Sequence, residues 1–345
     1  MKNVAHQQTP SASAFPFTEQ QQSCINSTFQ ILSTCGIALI SGAAGSGKSS
    51  ILKELWQSTN GHVTSFTNKV CNDLNHKIRG CNAQTLHKLL DLQIVSSASN
   101  AQRWGKPKTR MFTKPVFVDE CSYVNDEMYQ WLVDRALAGI CFIGDSAQLP
   151  PVGYPQAKPF EVIKPPFRFD LTQVHRQQEA SALLRFLTDL RALIQELADR
   201  GIGQATGPQG RYLTQAYESW GDFAKEKDGS INLALSWNYV RDALIKHIHD
   251  GRAFNQSIAF LSYTNHRADQ MRDEVSTITG KHSKSLESFI TSIHKAQGCQ
   301  WANVVLDISS LDCVRDAAGD NRELQQLKLL YVGASRAVHK LFALK

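Results

Sequence analysis

The stretch "GIALISGAAGSGKS", Gly36–Ser49, runs an apolar segment straight into a glycine-rich turn and then into residues that favour helix. Its last eight residues, Gly42 to Ser49, fit G-x-x-x-x-G-K-S, with a further glycine at Gly45. Glycines let the chain turn so that successive amides point inward at phosphate oxygens, and the N-terminus of the following helix adds favourable potential. In that setting Lys48 reaches the β- and γ-phosphates, Ser49 ligates Mg²⁺, and Ser50 sits beside it at the mouth of the loop. The expected cofactors are therefore ATP and Mg²⁺. The loop by itself specifies a nucleoside triphosphate and leaves open what is done with it.

Working outward, strand-like runs alternate with stretches of helical length, which predicts an α/β architecture with parallel sheets. "HVTSF" (His62–Phe66), "PVFVDE" (Pro115–Glu120) and "ICFIGD" (Ile140–Asp145) are the next apolar runs, separated by candidate helices such as Lys48–Trp56 and Asn125–Leu137. Pro150–Asp170 holds six of the eleven prolines. Proline removes amide donors and disfavours helix before it, so this segment is expected to connect two domains. A second series follows: "SIAFLSYTN" (Ser257–Asn265), "NVVLDIS" (Asn303–Ser309) and a final helix and strand from about Arg322. Glycines and polar residues across 201–229 predict a looped insertion within this half.

Two further elements bear on the phosphate loop. In "VFVDE" three apolar residues bury a strand whose carboxyl end carries Asp119 and Glu120, where α/β sheets place ligands. Asp119 suits a ligand of Mg²⁺ and Glu120 suits a base that orients and deprotonates water. Adjacent acids in a loop are commonly just solvated; the upstream phosphate loop favours metal and catalysis. In "FPFTEQQ", Thr18 and Gln21 precede a helix, where Gln21 either reads an adenine through its amide or belongs to the helix cap.

The order of motifs then carries a resemblance. After the phosphate loop come "TSFTNK" (Thr64–Lys69), "TLHKLL" (Thr85–Leu90), "VDECSY" (Val118–Tyr123) and "GDSAQLPPV" (Gly144–Val152). "LTQVHRQ" (Leu171–Gln177), "FLSYTN" (Phe260–Asn265), "TSIHKAQG" (Thr291–Gly298) and "LLYVGASRA" (Leu329–Ala337) follow. This series resembles superfamily 1 helicases, specifically their RecD/Dda-like branch, from Thr18 to about Ala337. The resemblance implies two RecA-like P-loop NTPase domains with ATP in the cleft between them: a tail over residues 1–17, one domain over 18–165, and a second over 166–345. It implies that Gln148 senses the γ-phosphate, and that Arg176 and Arg336 are arginine fingers from the second domain. Fixed positive charge on the transferred phosphoryl group is worth roughly a thousandfold or more in rate. Gln297 and Gly298 resemble the loop that touches both nucleotide and nucleic acid.

For the strand itself, the resemblance points to Thr67, Asn68, Thr85, His87, Ser292 and His294 as backbone contacts. Neutral donors suit a protein that must grip and release without reading sequence. A short pin-like insertion is expected at about 91–115, where "QRWGKPKTRMFTK" has five basic residues, no acid, and interleaved aromatics. Arg103, Trp104 and Lys106 are its candidate contacts to nucleic acid. The chain departs from the family at Gln300, where relatives often carry an acid, and between Asn265 and Thr291, where relatives usually insert an SH3-like domain.

Composition agrees with a soluble globular protein: 345 residues, 42% hydrophobic and 20% charged. A net charge of +6 permits a nucleic-acid partner without demanding one. The opening "MKNVAHQQTPSASA" lacks the apolar core of a secretory signal, and the eight cysteines include no Cys-x-x-Cys pair, so a cytoplasmic monomer with reduced thiols is expected. The leading function is ATP-driven movement on single-stranded nucleic acid with duplex unwinding. Branch membership implies DNA and 5′→3′ polarity, with replication or repair proteins as partners. An RNA helicase stays open, since phosphate and stacking contacts hardly distinguish the sugars. So does a nucleotide-gated binding or assembly module, against which Glu120, Gln148 and the two arginines weigh.

Overall fold

The computed structural model describes residues 17–96, 102–108, 111–151, 154, 156–174, 181–199, 211–250, 257–314 and 322–344. In chain order the first half contains α1 (Glu19–Ser33), β1 (Ile37–Gly42), α2 (Lys48–Thr59), β2 (His62–Ser65), α3 (Asn68–Lys77), β3 (Gln84–Thr85) and α4 (Leu86–Leu89). It continues with β4 (Ile94–Ser96), β5 (Gln102–Trp104), β6 (Val116–Val118), α5 (Asp126–Val133), β7 (Ile140–Gly144), α6 (Lys158–Val162) and β8 (Arg168–Leu171). The second half contains α7 (Ala182–Asp199), α8 (Arg211–Phe223), β9 (Ile231–Leu235), α9 (Trp237–Asp250), β10 (Ile258–Ser262) and α10 (Asn265–Thr279). It ends with α11 (Ser283–Leu286), β11 (Ile290–Ser292), β12 (Trp301–Asp307), α12 (Arg322–Ala334) and β13 (Ala337–Leu344).

These strands form two parallel sheets, ordered β3-β2-β6-β7-β1-β8 and β11-β10-β12-β13-β9. Buried, nearly continuous apolar strands such as β1, β6 and β7 are what a sheet covered by helices on both faces requires. One face of the first sheet packs Cys24, Ile25 and Leu32 of α1 and Ile51, Leu52 and Leu55 of α2 against Ala38 and Ile40. The other packs α5, α6 and the α4 region against Leu39 and Phe142. The second sheet has its own two cores, one built on α7, α8 and α12, the other on α9 and α10.

Two expectations are corrected. Pro150–Asp170 is not a bare connector: Ala157, Phe160 and Ile163 are buried in the first core, and β8 pairs with β1. The expected boundary at 165 therefore falls before the last strand of the first sheet. Nor are the described residues of 201–229 simply looped. Residues 211–223 form α8, whose Tyr212, Leu213, Ala216 and Trp220 are buried against the second sheet's core. Between β10 and β11 only α10 and α11 intervene, with no further sheet.

At 91–115 the chain makes a separate antiparallel hairpin, β4 with β5, in the register Ile94↔Trp104, Val95↔Arg103 and Ser96↔Gln102. None of the described helices is long and apolar enough to cross a membrane.

Candidate nucleotide site between the two sheets

The sheet order brings three separate pieces of sequence to one edge. β7 lies between β1 and β6, so the phosphate loop after β1, Asp119–Glu120 after β6 and Gln148 after β7 emerge side by side. This is the carboxyl end of a parallel sheet, the place where the fold leaves room for a ligand.

The loop itself is tight. Gly45 and Gly47 have φ of 87° and 88°, a conformation that L side chains rarely adopt. Lys48 heads α2 and donates from Nζ to the carbonyls of Gly42 and Ala43 at 2.6 and 2.8 Å, leaving its third proton for a phosphate oxygen. Ser49 and Ser50 are exposed on the first turn of α2. The Ser46 hydroxyl is buried without a partner among the described residues.

Gln21 is placed differently from a base reader. Its Oε1 accepts from the Thr18 amide at 3.1 Å while the Thr18 hydroxyl accepts from the Gln21 amide, a complete capping box for α1. Its Nε2 donates to the Ser46 carbonyl at 3.1 Å, so the buried side chain props the phosphate loop from behind. The alternative of a helix cap is the one the geometry adopts. A Cβ on Gly47 would lie 2.3 Å from Gln21 Nε2. Gly47→Ala therefore combines a left-handed backbone penalty of about 1–2 kcal/mol with a displaced prop. Nucleotide affinity is expected to fall by about tenfold or more with the fold retained, as measured by titration with a fluorescent ADP.

Asp119 and Glu120 follow β6, with the Asp119 amide bonded to the Thr64 carbonyl at 2.8 Å. Glu120 has φ of 55°, left-handed and unusual for a side chain of its size. Burial, and secondarily Glu120, push the Asp119 carboxyl up to about 7, while Lys48 pulls it down. A carboxylate held in this way gains from a nearby divalent cation. Asp119 and the Ser49 hydroxyl, with phosphate oxygens and water, make an all-oxygen set that fits Mg²⁺. No cluster of three or more His, Cys, Asp or Glu residues suited to a metal occurs among the described residues.

Facing this edge from the second sheet are two residues of the sequence reading. Arg336 is buried and donates to the carbonyls of Val332 and Cys299 at 3.1 and 3.4 Å and to the Ser335 hydroxyl at 2.8 Å. No carboxylate pairs with it among the described residues. Tyr123 senses both sides: burial and Glu120 push its hydroxyl upward in pKa, and Arg336 opposes them. Gln297 is buried with neither amide atom bonded to a described residue, and Gln148 is buried with its Oε1 likewise orphaned. Buried amides without partners are costly unless a ligand or water completes them. Arg176 lies outside the described residues.

The two halves touch beside this site. Gly298, at φ 72°, comes so close to Val70 that a Cβ would lie 2.5 Å from its Cγ2. Lys69 Nζ donates to Cys299 Sγ at 3.0 Å and sits 5.8 Å from the Trp301 ring centre. Ser65, Phe66, Thr67, Val70, Glu120, Tyr123, Gln297 and Gly298 line one small recess, which joins the catalytic edge to the expected strand contacts.

Among those contacts, the Thr67 and Thr85 hydroxyls cap α3 and α4, accepting from the amides of Val70 and Lys88 at 3.3 Å. An accepting hydroxyl still has a proton to donate. Asn68 opens α3, and the His87 ring stands edge-on to Phe66 with centres 5.9 Å apart. His294 is exposed, whereas Ser292 is 4% exposed on β11. Lys106 is exposed next to the hairpin; Arg103 and Trp104 fall on β5, and their side chains lie outside the described residues.

Sequence reasoning overlooked Asp145, Arg191 and Tyr331, which meet behind Gln148. The "GD" before Gln148 was a visible signal for the first of them only.

Comparison with known proteins agrees with this geometry. The family model described as AAA domain matches residues 17–205, more than half of the chain, and that of the UvrD-like helicase C-terminal domain matches 287–344. A protein of Acanthamoeba polyphaga mimivirus, "Uncharacterized protein R530", is 29% identical over 119 residues. That alignment takes in 32% of this chain and 24% of the viral protein. Among solved structures, a Pif1 helicase studied at forked double-stranded DNA superposes with a TM-score of 0.51 at 14% identity, over 95% of this chain and 92% of that one. Bacteroides Pif1 helicase in complex with ADP-AlF3 and single-stranded DNA gives 0.51 at 13%, with the same coverage. At these identities the likeness is one of fold.

Proposed function

This chain belongs to the AAA-domain family, and from that premise and its match to the UvrD-like helicase C-terminal domain we propose that it is a superfamily 1, ATP-driven DNA helicase. The observation that carries the proposal is the convergence on one cleft of Lys48, Asp119, Glu120 and Gln148 from the first sheet with Arg336 from the second. The first domain runs to Leu171, and the second is built on the sheet of β9 to β13.

Ser49 and Asp119 would hold Mg²⁺, which would supply positive charge to the nucleotide phosphates. Lys48 and the loop amides orient the phosphates, and Glu120 accepts a proton from the attacking water. Arg336, and by family likeness Arg176, meet the charge that develops on the transferred phosphoryl oxygens. Gln148 and Gln297 supply amides whose partners change when that phosphoryl group leaves. Thr67, Asn68, Thr85, His87 and His294 hold the strand's backbone without reading its bases. The solved Pif1 structures described with single-stranded or forked DNA favour DNA over RNA as substrate. Polarity of 5′→3′ and a cytoplasmic monomer complete the reading.

The test is ATP hydrolysis with and without oligo(dT) or oligo(U), followed by unwinding of DNA duplexes bearing a 5′ or a 3′ tail. Stimulation by oligo(dT) and unwinding from 5′ tails are expected. No stimulation by either strand overturns the motor reading, and unwinding from 3′ tails alone overturns the polarity.

A further inference from the structure

Gln148 sits on a turn set by Asp145. The Asp145 carbonyl accepts from the Gln148 amide at 3.1 Å, and its Oδ1 accepts from the Ala147 amide at 3.1 Å. Ala147 and Leu149, on either side of Gln148, are 2% and 5% exposed and belong to the core of the second sheet, although their chain continues from the first. The turn is thus embedded in the opposite half of the molecule.

The same carboxylate completes the attachment. Asp145 is fully buried, and its Oδ2 accepts from the Tyr331 hydroxyl of α12 at 2.7 Å. Arg191 of α7 donates from Nε to Oδ1 at 3.2 Å. Lys328, buried one turn before Tyr331, adds a second positive charge in the field of Asp145; burial lowers its ammonium to about 8, and Asp145 opposes that shift. Past Tyr331 the chain holds Arg336 directly. The Tyr331 carbonyl accepts from the Ser335 amide at 2.9 Å, and the Ser335 hydroxyl accepts from Arg336 at 2.8 Å.

We propose that Tyr331 and Arg191 are positioning residues that, through Asp145, make the placement of Gln148 and of Arg336 interdependent. A buried carboxylate cannot shed one donor without a large penalty, so the turn and α12 move together or not at all. A displacement of Gln148 on loss of the γ-phosphate is therefore delivered to α12 and to the turn just past it that carries Arg336, and through them to the second sheet.

Tyr331→Phe tests this, because it keeps the ring in place and removes only the hydroxyl. It rests on the ATPase reading above, so wild-type protein is assayed first. In the full chain, KM for ATP is expected to match wild type and the thermal midpoint to fall by a few degrees, because buried Asp145 loses one donor, while kcat with oligo(dT) falls by about tenfold, within the range of couplings between sites. Arg191→Lys, which keeps the charge and loses the planar fork, is expected to act in the same direction. The decisive comparison is Gln148→Ala alone against Gln148→Ala with Tyr331→Phe. Interdependence predicts that the second change adds less than about twofold to the first. Independent, multiplicative losses overturn the proposal, as does a fall in thermal midpoint with kcat unchanged. Wild type without strand stimulation takes the functional reading down as well, whereas stimulated wild type with normal Tyr331→Phe kinetics overturns the coupling alone.

Discussion

Glu120→Gln is expected to bind nucleotide as wild type does and to hydrolyse it about a thousandfold more slowly, within the span that positioned acid–base groups contribute. The amide keeps the size and planarity of the carboxylate but no longer takes a proton. The backbone supports the assignment independently. Glu120 is held at φ 55°, a conformation that costs free energy and persists only where the surroundings impose it. It stands in the turn just past Asp119, at the end of the fully buried strand β6, so the sheet fixes where that turn begins. The neighbouring carboxyl, Asp119, is raised by burial and by Glu120 itself, which describes a pair that needs added positive charge to be comfortable. The check is a pair of measurements: affinity for a fluorescent nucleotide and oligo(dT)-stimulated turnover. Loss of binding together with turnover would move Glu120 from catalysis to the binding site, and a loss under about tenfold would remove it from both.

How far this site could be read from sequence follows from where its pieces lie. The phosphate loop is contiguous, and its glycines, lysine and serine declare themselves at fixed spacing. Asp119–Glu120 and Gln148 are legible as polar residues ending apolar runs. Their adjacency depends on β7 pairing with both β1 and β6, which strand order alone reveals. Tyr331 and Asp145 are 186 residues apart, and no local pattern marks either as the other's partner. Prolines misled the reading of Pro150–Asp170, because proline excludes interior helix yet allows a short helix with proline near its start, as in α6, and leaves the proline-free residues after Pro166 able to form the edge strand β8. In 201–229 the glycines drew attention from Tyr212, Leu213, Ala216 and Trp220, whose spacing is that of one helix face. Gln21 shows the opposite limit: its position was legible, but a glutamine two residues inside a helix start serves a cap or a ligand equally well until its partners are known.

Arg336→Ala is expected to reduce turnover about a thousandfold, the scale associated with a finger that meets developing phosphoryl charge. The contacts of this arginine are the reason. All of its described partners are neutral oxygens: the Val332 and Cys299 carbonyls and the Ser335 hydroxyl. Neutral acceptors fix the guanidinium without cancelling its charge, whereas a carboxylate partner would compete with phosphate. At 4% exposure the charge lies where water screens it little. Arg336→Lys retains a positive group and loses the planar fork, so an intermediate rate is expected. Single-turnover hydrolysis at saturating nucleotide isolates the chemical step from binding, and nucleotide affinity of Arg336→Ala is expected to fall far less than its rate. If rate and affinity instead declined in equal measure, Arg336 would be holding the ground state, and the charge that accelerates transfer would have to come from Lys48 and Mg²⁺ without a finger from the second sheet.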